Sequence, residues 1–244
     1  MTTPDPARAT PARPHHQLTA DGRVMREVLS YARRGNRLVG PQQASWDAHA
    51  SAWLVPEEAF DEPGFDPASY FDREAELIVE IGGGMGESTA ALAVANPDAN
   101  ILGFEVWRPG VAETFGRLAK IGATNVRMCM VDAAWTIRNR LAPDSVSLMT
   151  TFFPDPWHKS RHHKRRIVNL ENAAGFASRL APGGVWRLAT DWPEYAEQMV
   201  EVLDAVPTLS GGLTDRWDGR PLTKFERKGI RAGRPITDLA YLRA

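Results

Sequence analysis

Cysteine is almost absent from this sequence of 244 residues. Because Cys129 is the only one, no disulfide can form within the chain, and a zinc site built on several cysteines is excluded. The sequence also lacks an uncharged apolar run long enough to cross a bilayer. Residues 1–20 contain four prolines and no apolar segment of the kind that a secretory signal needs. We therefore expect a cytoplasmic protein without membrane association.

The rest of the composition is that of a globular protein, with 43% hydrophobic and 24% charged residues. Residues 1–22 are rich in Pro, Ala and Arg and cannot bury enough apolar surface, so we predict a disordered arm there. Residues 23–72 are predicted to form an N-terminal extension that packs on the main domain. Its start, 23–37, has helical spacing of apolar residues, and 42–72 has the prolines of connecting structure. The main domain is predicted over 73–244.

Short apolar runs alternate with helical patterns from Glu76 onward. Strands are predicted over 77–81, 101–105, 126–131, 146–153 and 185–189, with a terminal strand over 236–242. Helices are predicted over 87–95, 110–121, 133–141, 165–180 and 193–206. This alternation is typical of βαβ units. We therefore expect an α/β fold with a mostly parallel sheet and helices on both faces.

A glycine-rich turn follows the first predicted strand and contains Gly82, Gly84 and Gly86. Glycines at this point allow a tight turn and a close approach of ligand to backbone. A dinucleotide fingerprint needs a third glycine where Glu87 or Thr89 stands, and Glu87 would repel a pyrophosphate at the helix start. The turn therefore favours a ligand without phosphates that carries an amino acid group and a ribose. S-adenosylmethionine has this chemistry.

Three acids end or follow three successive predicted strands, namely Glu80, Glu105 and Asp132. An acid about 20 residues beyond a glycine turn accepts hydrogen bonds from ribose hydroxyls, so Glu105 is predicted for that role. Asp132 is predicted to contact an adenine amino group, and Glu80 to favour a cationic ligand. The alternative is that all three acids simply end strands at the solvent edge.

The fourth predicted strand is followed by Phe-Pro-Asp-Pro-Trp, in which Asp155 stands between two prolines. Prolines restrict their own φ and the residue before them, so this carboxylate is held rigidly, as a substrate-orienting group should be. Trp157 offers a stacking face for a base. Residues 158–166 then supply five Lys or Arg and three His without an acid, and such a segment can contact phosphates, although it is also compatible with a solvated loop. Together these features predict methylation of a nucleic acid.

At this point the sequence resembles the bacterial, single-subunit tRNA (guanine-N7)-methyltransferases. The similar segments, in order, are Glu-Ile-Gly-x-Gly-x-Gly (80–86), Gly-x-Glu-Val (103–106), residues 153–166, Ala-Thr-Asp-Trp (189–192) and Arg-Pro-x-Thr-Lys-Phe-Glu (220–226). The resemblance covers roughly residues 23–242. It implies a Rossmann-like class I methyltransferase fold with a seven-stranded sheet. It also implies transfer of a methyl group from S-adenosylmethionine to N7 of a guanine in the tRNA variable loop, giving 7-methylguanosine.

The resemblance also implies roles for particular residues. Asp155 matches the active-site acid. The matching cofactor positions are Glu80, Gly82, Gly84, Gly86, Glu105 and Asp132. The matching substrate positions are Lys159, Asp191, Thr223, Lys224, Phe225 and Glu226. The tRNA-contacting segment matches at Arg161, His162, His163, Lys164, Arg165 and Arg166. The sequence departs from the family at Gly83, where an aromatic residue is common, and at His158, where proline is common.

Other interpretations stay open at this stage. An amino-group methyltransferase of RNA or DNA would carry Asp/Asn-Pro-Pro-aromatic after the fourth strand, whereas this chain has Pro-Asp-Pro-Trp. An RNA-binding module that keeps a cofactor pocket is a second alternative, and a dehydrogenase is a third, weakened by the missing glycine. No metal site is expected, because the adjacent His162 and His163 rarely converge on one ion. Nothing indicates an obligate protein partner, and both a monomer and a homodimer are compatible with the sequence.

Overall fold

The structure, a computed structural model, describes residues 29–32 and 35–244. The predicted arm 1–22 and most of the amphipathic segment 23–37 lie outside the described residues. The helices are α1 (Gly40–Trp53), α2 (Glu87–Ala95), α3 (Arg108–Ile121), α4 (Ala133–Arg140), α5 (Leu170–Ala177), α6 (Pro193–Asp204) and α7 (Lys224–Arg231). The strands are β1 (Leu54–Val55), β2 (Leu77–Ile81), β3 (Asn100–Phe104), β4 (Val126–Cys129), β5 (Val146–Phe152), β6 (Leu180–Thr190), β7 (Leu209–Thr214) and β8 (Thr237–Arg243). None of the described helices is long and apolar enough to cross a membrane.

The strands form one sheet in the order β1-β4-β3-β2-β5-β6-β8-β7. All neighbours are parallel except β8, which runs antiparallel to both β6 and β7. The expectation of an α/β fold with a mostly parallel sheet is confirmed. The sheet has eight strands within the described residues rather than seven, because the two-residue β1 pairs with β4 at one edge.

Apolar side chains cover both faces of the sheet. On β2, Leu77, Val79 and Ile81 point into one core cluster while Ile78 points into the other. This separation follows from the two-residue period of a strand. Helices α4, α5 and α6 cover the first face, and α2 and α3 cover the second. Burial on both faces explains why the parallel strands read as continuous apolar runs.

The expectation of connecting structure throughout 42–72 is wrong, because α1 occupies Gly40–Trp53. Pro41 lies in the first turn of α1, where a missing backbone N–H costs nothing, so the Gly-Pro pair begins a helix rather than only breaking one. Three apolar side chains of α1, those of Trp46, Ala50 and Trp53, pack against the second cluster. Their spacing of four and three residues is the helical signal that was available in the sequence.

The C-terminal region contains elements that the sequence did not predict. The terminal strand is confirmed as β8, but β7 and α7, which have only six and eight residues, were not predicted. The helix predicted over 165–180 begins only at Leu170, because the side chain of Asn169 caps it by accepting from the Asn172 N–H. Residues 160–165 form a separate 3₁₀ helix.

The buried face of α5 provides a test of this packing. Phe176 is fully buried and its ring centroid lies 5.4 Å from that of Trp186. Phe176→Ala should lower the free energy of unfolding by about 3–5 kcal/mol, since it removes a large core side chain and leaves a cavity. Leu170→Ala is the matched control on the same helix. Leu170 is 56% exposed, and its truncation should change stability by less than about 0.5 kcal/mol in urea denaturation.

Candidate active site

A cavity of about 360 Å³ lies at the carboxyl ends of β2 and β5. These strands are neighbours, but the chain continues from β2 towards β3 and from β5 towards β6, on opposite sides. Loops that diverge in this way leave a crevice, which is where open α/β sheets bind ligands. The lining includes Gly82 and Gly84 after β2, Glu105 after β3, and Phe153 and Asp155 after β5. The topology therefore brings together three sets of residues that lie far apart in the sequence.

The glycine turn has a backbone that other residues rarely adopt. Gly82, Gly84 and Gly86 have φ values of +78°, +60° and +77°. A Cβ on Gly86 would lie 2.7 Å from Cα of Thr114, and a Cβ on Gly110 would overlap the carbonyl oxygen of Gly84. At Gly82, by contrast, a Cβ would meet nothing within 4 Å. The turn is thus packed tightly against α3 on one side and is open towards the cavity on the other.

Glu105 fixes this turn to the end of β3. Its carboxylate accepts a hydrogen bond from the Gly84 N–H at 2.8 Å and another from the Trp107 N–H at 2.8 Å. Glu105 and Gly84 both line the cavity. Glu105, the predicted ribose acceptor, therefore lies on the cavity side of the glycine turn and also holds that turn in shape.

Glu80 lies beneath the turn and not in the main cavity. Its side chain is buried, accepts a hydrogen bond from the Thr89 hydroxyl, and borders a small adjoining cavity. Burial raises the pKa of Glu80 above its usual value, and the nearby charge of Glu105 adds to this effect. A Cβ on Gly83 would lie 2.9 Å from the Thr89 hydroxyl oxygen and 3.0 Å from a Glu80 carboxylate oxygen. In this chain Gly83 therefore leaves room for the pair formed by Glu80 and Thr89.

Asp132 caps α4, as its side chain accepts a hydrogen bond from the Trp135 N–H at 2.9 Å. Its neighbours Val131 and Ala133 line the cavity. Asp132 thus lies between two lining residues without belonging to the lining itself, and one of its carboxylate oxygens is engaged by the helix.

Asp155 lies in the cavity wall on a strained segment. The segment Pro154–Pro156 is flanked by Phe153 and Trp157, whose φ values are +53° and +48°. Such values are rare for bulky side chains and cost about 1–3 kcal/mol each. The carbonyl oxygen of Pro156 accepts a hydrogen bond from Arg166 Nε at 2.8 Å, which holds the segment from below. Asp155 is therefore rigid for more reasons than its two prolines.

The prediction that Arg166 contacts tRNA does not match its position. Arg166 is buried, donates to Gln198 and Glu194 as well as to Pro156, and lies over the ring of Tyr195 at 4.7 Å. Its guanidinium is thus used inside the protein. His163 stands beside it, with Nε2 3.6 Å from the Glu194 carboxylate.

Trp157 and Arg165 also differ from expectation. The guanidinium of Arg165 stacks on the Trp157 ring at 3.6 Å, and Trp157 does not line the cavity. Both side chains donate to the backbone of the N-terminal segment, Trp157 Nε1 to the Ser30 carbonyl at 3.1 Å and Arg165 Nε to the Leu29 carbonyl at 2.9 Å. This arrangement lays Ser30 and Tyr31 along the cavity, and it covers the face that was predicted to stack on a base.

The remaining members of the basic segment face solvent. Lys159, Arg161 and Lys164 are exposed and lie outside the cavity lining. His162 is partly exposed, and loss of hydration together with repulsion from Arg161 lowers its pKa. At neutral pH its positive charge is therefore smaller than that of an isolated histidine. The part of this segment that is available to phosphates is Lys159–Lys164.

The segment Thr223–Glu226 begins α7 and divides between two roles. Lys224 and Phe225 line the cavity, and Phe225 is 47% exposed. Thr223 caps the helix by accepting from the Glu226 N–H at 3.2 Å. Glu226 is buried and paired with Arg220 at 2.6 Å, so its carboxylate is directed into the protein rather than towards a substrate.

Asp191 is likewise placed apart from the cavity. Its carboxylate pairs with Arg234, with an N···O distance of 2.6 Å, and it packs on Gly229 of α7. The structure therefore brings Glu105, Asp155, Lys224 and Phe225 together around one cavity. It places Lys159 and Asp191 outside that lining.

Sequence reasoning missed several residues that line the cavity. Tyr31, Trp107 and Phe153 add aromatic surface, and Lys228 adds a second cation from α7. The spacing of Lys228, one helical turn after Lys224, was the available signal for it. Among the described residues there is no cluster of three or more His, Cys, Asp or Glu side chains that could hold a metal ion.

Comparison with known proteins places this geometry in a family. A family model described as "Putative methyltransferase" matches residues 74–239. The tRNA (guanine-N(7)-)-methyltransferase of Nocardioides sp. JS614 is 61% identical over 98% of this chain and 96% of its own length. The enzyme of the same name from Cutibacterium acnes is 46% identical over 91% of this chain and 85% of its own length. The chain belongs to the tRNA (guanine-N7)-methyltransferase family.

Solved structures extend the likeness to the fold of this family member. The 16S rRNA methyltransferase KamB matches with a TM-score of 0.52 and 16% identity, over 73% of this chain and 91% of that chain. A 16S rRNA (adenine(1408)-N(1))-methyltransferase from Catenulisporales acidiphilia, solved with its cosubstrate SAM, matches with a TM-score of 0.50 and 17% identity, over 76% and 95%. The Rossmann-like class I methyltransferase fold is thereby confirmed.

One departure of this family member from the common pattern has a structural partner. His158 is exposed, and its ring centroid lies 4.1 Å from that of Trp192. The two ring planes are tilted by 55°, so a side-chain contact is present at the position where the resemblance made proline the expected residue.

The contact between the glycine turn and α3 can be tested at Gly110. Gly110→Ala should destabilise the fold by about 1–3 kcal/mol, because the new methyl group overlaps backbone that cannot move aside. Affinity for S-adenosylhomocysteine should fall with it, since the displaced Gly84 lines the cavity. Gly116→Ala on the same helix is the control. There a Cβ would meet only the Ser45 hydroxyl at 3.0 Å, and binding measured by calorimetry should stay unchanged.

Proposed function

We propose that this chain transfers a methyl group from S-adenosylmethionine to N7 of a guanine in the variable loop of tRNA, giving 7-methylguanosine. The observation that carries the proposal is the shared cavity, which has Glu105 and the glycine turn on one side and Asp155 on the other. The 61% identity to a tRNA (guanine-N(7)-)-methyltransferase over nearly the whole chain supports the choice of substrate. Such a substrate implies action in the cytoplasm. Residues 40–72, which pack on the sheet through α1 and β1, are proposed to be an integral part of the catalytic domain.

The residues present fit S-adenosylmethionine as the cofactor. Gly82 and Gly84 expose backbone to the cavity, and Glu105 lies in its wall as an acceptor for ribose hydroxyls. The buried carboxylate of Glu80 favours a cationic amino acid group, and Asp132 at the start of α4 is proposed for the adenine end. When bound, S-adenosylmethionine supplies an electrophilic methyl group on a positively charged sulfur.

The protein's contribution to the reaction is positioning and electrostatics. Guanine N7 already carries a free lone pair, so no residue has to remove a proton before attack. The base becomes positively charged as the bond to carbon forms, and a fixed carboxylate near it stabilises that charge. Asp155 is the carboxylate that the cavity presents after β5, held by the strained turn and by the hydrogen bond of Arg166 to Pro156. A rigid acceptor of this kind loses little entropy when the base arrives.

Asp155 is also suited to select guanine. A carboxylate only accepts hydrogen bonds, and guanine offers donors at N1 and at its amino group, whereas adenine has an acceptor at N1. The exposed ring of Phe225 and the ring of Phe153 supply apolar surface for stacking. We propose Asp155 for orientation and Phe225 with Lys224 for substrate contact. Asp191 and Glu226 act indirectly, by fixing α7 through Arg234 and Arg220.

Incubation with unmodified tRNA and S-adenosylmethionine, followed by digestion and mass spectrometry of the nucleosides, tests the proposal. The wild type should yield 7-methylguanosine. Asp155→Asn should lower the rate at least about 100-fold, because it removes the charge that stabilises the product base but keeps the shape. Calorimetry should show nearly unchanged cofactor affinity. A wild type that methylates an amino group instead, or an Asp155→Asn variant with normal turnover, would contradict the assignment.

The buried Glu80 makes cofactor binding dependent on pH. Burial raises its pKa, so in the free protein Glu80 holds its proton at pH values where a solvated glutamate has lost it. A cationic ligand stabilises the ionised form, and binding should therefore release a proton. Affinity for S-adenosylmethionine should rise with pH through the raised pKa and then level off. Calorimetry in buffers of different ionisation enthalpy measures the proton released.

Glu80→Gln is the matched variant for this experiment. It should bind the cofactor more weakly and with no proton release, because the amide keeps its shape but does not titrate. The contribution of Glu80 to folding stability should change with pH in the opposite sense to its contribution to cofactor affinity. The protonated Glu80 is favoured in the folded state, so its stabilisation is present at low pH and is lost as pH rises through the raised pKa. The variant should therefore gain stability relative to wild type in this upper range, and equal pH profiles would contradict the role of Glu80.

A further inference from the structure

Helix α7 is fixed to the rest of the protein by ion pairs on its inner side. Glu87 at the start of α2 accepts from the Lys224 backbone N–H and pairs with Arg227 at 2.8 Å. Despite partial burial, these contacts lower the pKa of Glu87. At the other end Arg234, three residues beyond α7, pairs with Asp191 at 2.6 Å. Glu226, in the first turn, pairs with Arg216 and Arg220.

Three further cations of α7 take part in none of these ion pairs. Lys224, Lys228 and Arg231 are exposed, and within the described part of the chain none of them has an acidic partner within 4.0 Å. Their spacing of four and three residues puts them on one face of the helix. From Lys224 to Arg231 the row extends over seven residue steps, or about 10 Å along the helix axis.

A row of like charges at this spacing weakens an isolated helix, since cations four residues apart repel each other. The nearby carboxylates of Glu87 and Asp191 pair with other arginines, so they do not neutralise the charges of the row. It also begins at the cavity, because Lys224 and Lys228 line it while Arg231 lies one turn further out. A polyanion that reaches the cavity therefore meets at least Lys224 and Lys228.

We propose that Lys224, Lys228 and Arg231 form a phosphate-binding surface for the tRNA backbone next to the target guanine. This inference rests on the proposed function. A row of about 10 Å matches two or three successive phosphates of one strand. It supplements the exposed cations of Lys159–Lys164. These cations follow Asp155 closely in the chain, as Lys224 adjoins Phe225, and both Asp155 and Phe225 line the cavity. The target base is held between these two sets of cations by contacts on both sides of its backbone.

The binding experiment uses the full chain and unmodified tRNA, with the dissociation constant measured at several salt concentrations. Removing a cation that contacts a phosphate reduces the slope of log K against log salt by about 1. Arg231→Ala and Lys228→Ala should each show this reduction, and the double variant about twice as much. Each single variant should also bind several-fold more weakly at moderate salt. Arg231→Lys should keep the wild-type slope, because the charge remains.

Lys120→Ala is the charge-matched control. Lys120 is exposed at the C-terminal end of α3, and the N-terminal end of that helix is the one that meets the glycine turn. It should leave affinity and slope unchanged. Thermal denaturation of each variant and S-adenosylhomocysteine binding by Arg231→Ala should match wild type, which separates loss of phosphate contact from loss of fold.

The outcomes separate this inference from the proposed function. Formation of 7-methylguanosine by the wild type tests the proposed function. The slopes of log K against log salt in the variants test the phosphate-binding surface. If the wild type is active and the double variant keeps the wild-type slope, the row is only a solvated face and the inference is wrong. Loss of binding to anionic vesicles, with tRNA binding intact, would assign the row to a lipid surface and also overturn it.

Discussion

The carboxyl ends of β2 and β5 lie side by side at the centre of the sheet, and the chain leaves them in opposite directions. Apolar clusters cover both faces of the sheet with helices, but no crossover helix can cover the gap between diverging loops. Every residue set in the site depends on this gap. The glycine turn lies on its β2 side, Asp155 on its β5 side, and Glu105 ties the turn to the neighbouring β3.

The two sides of the gap differ in the conformational energy that their backbone requires. On the β2 side the left-handed backbone is carried by Gly82, Gly84 and Gly86, for which such φ values are cheap. On the β5 side it is carried by Phe153 and Trp157, for which they are expensive. The surrounding contacts must offset that strain, and the buried guanidinium that donates to the Pro156 carbonyl is one of them. The basic segment 158–166 thus holds the loop that carries Asp155 through its buried Arg166, while its exposed members face solvent.

The sequence predicted the parallel core well, because its apolar runs are long, bounded by glycine or charge, and buried on both faces. It did not predict α1, which packs on the second cluster through only three apolar side chains at helical spacing. Nor could it separate the arginines of 158–166, since a buried Arg166 and an exposed Arg161 look alike in a charge pattern. The difference between them is the tertiary partners, Gln198 and Glu194, which come from a helix about 30 residues further on.

The sequence likewise does not show the tertiary environment of the acids, and that environment determines which charge of ligand each part of the site favours. Burial, and to a smaller extent the charge of Glu105, raises the pKa of Glu80, so a nearby cation stabilises its ionised carboxylate whereas a phosphate destabilises it. Cations are gathered at the rim instead, on α7 and on 159–164. A cationic cofactor is therefore favoured under the glycine turn, and a polyanion is favoured at the rim. Because acids lie next to the glycine turn and cations lie on α7, a single cavity can hold two ligands of opposite charge whose reacting atoms must meet.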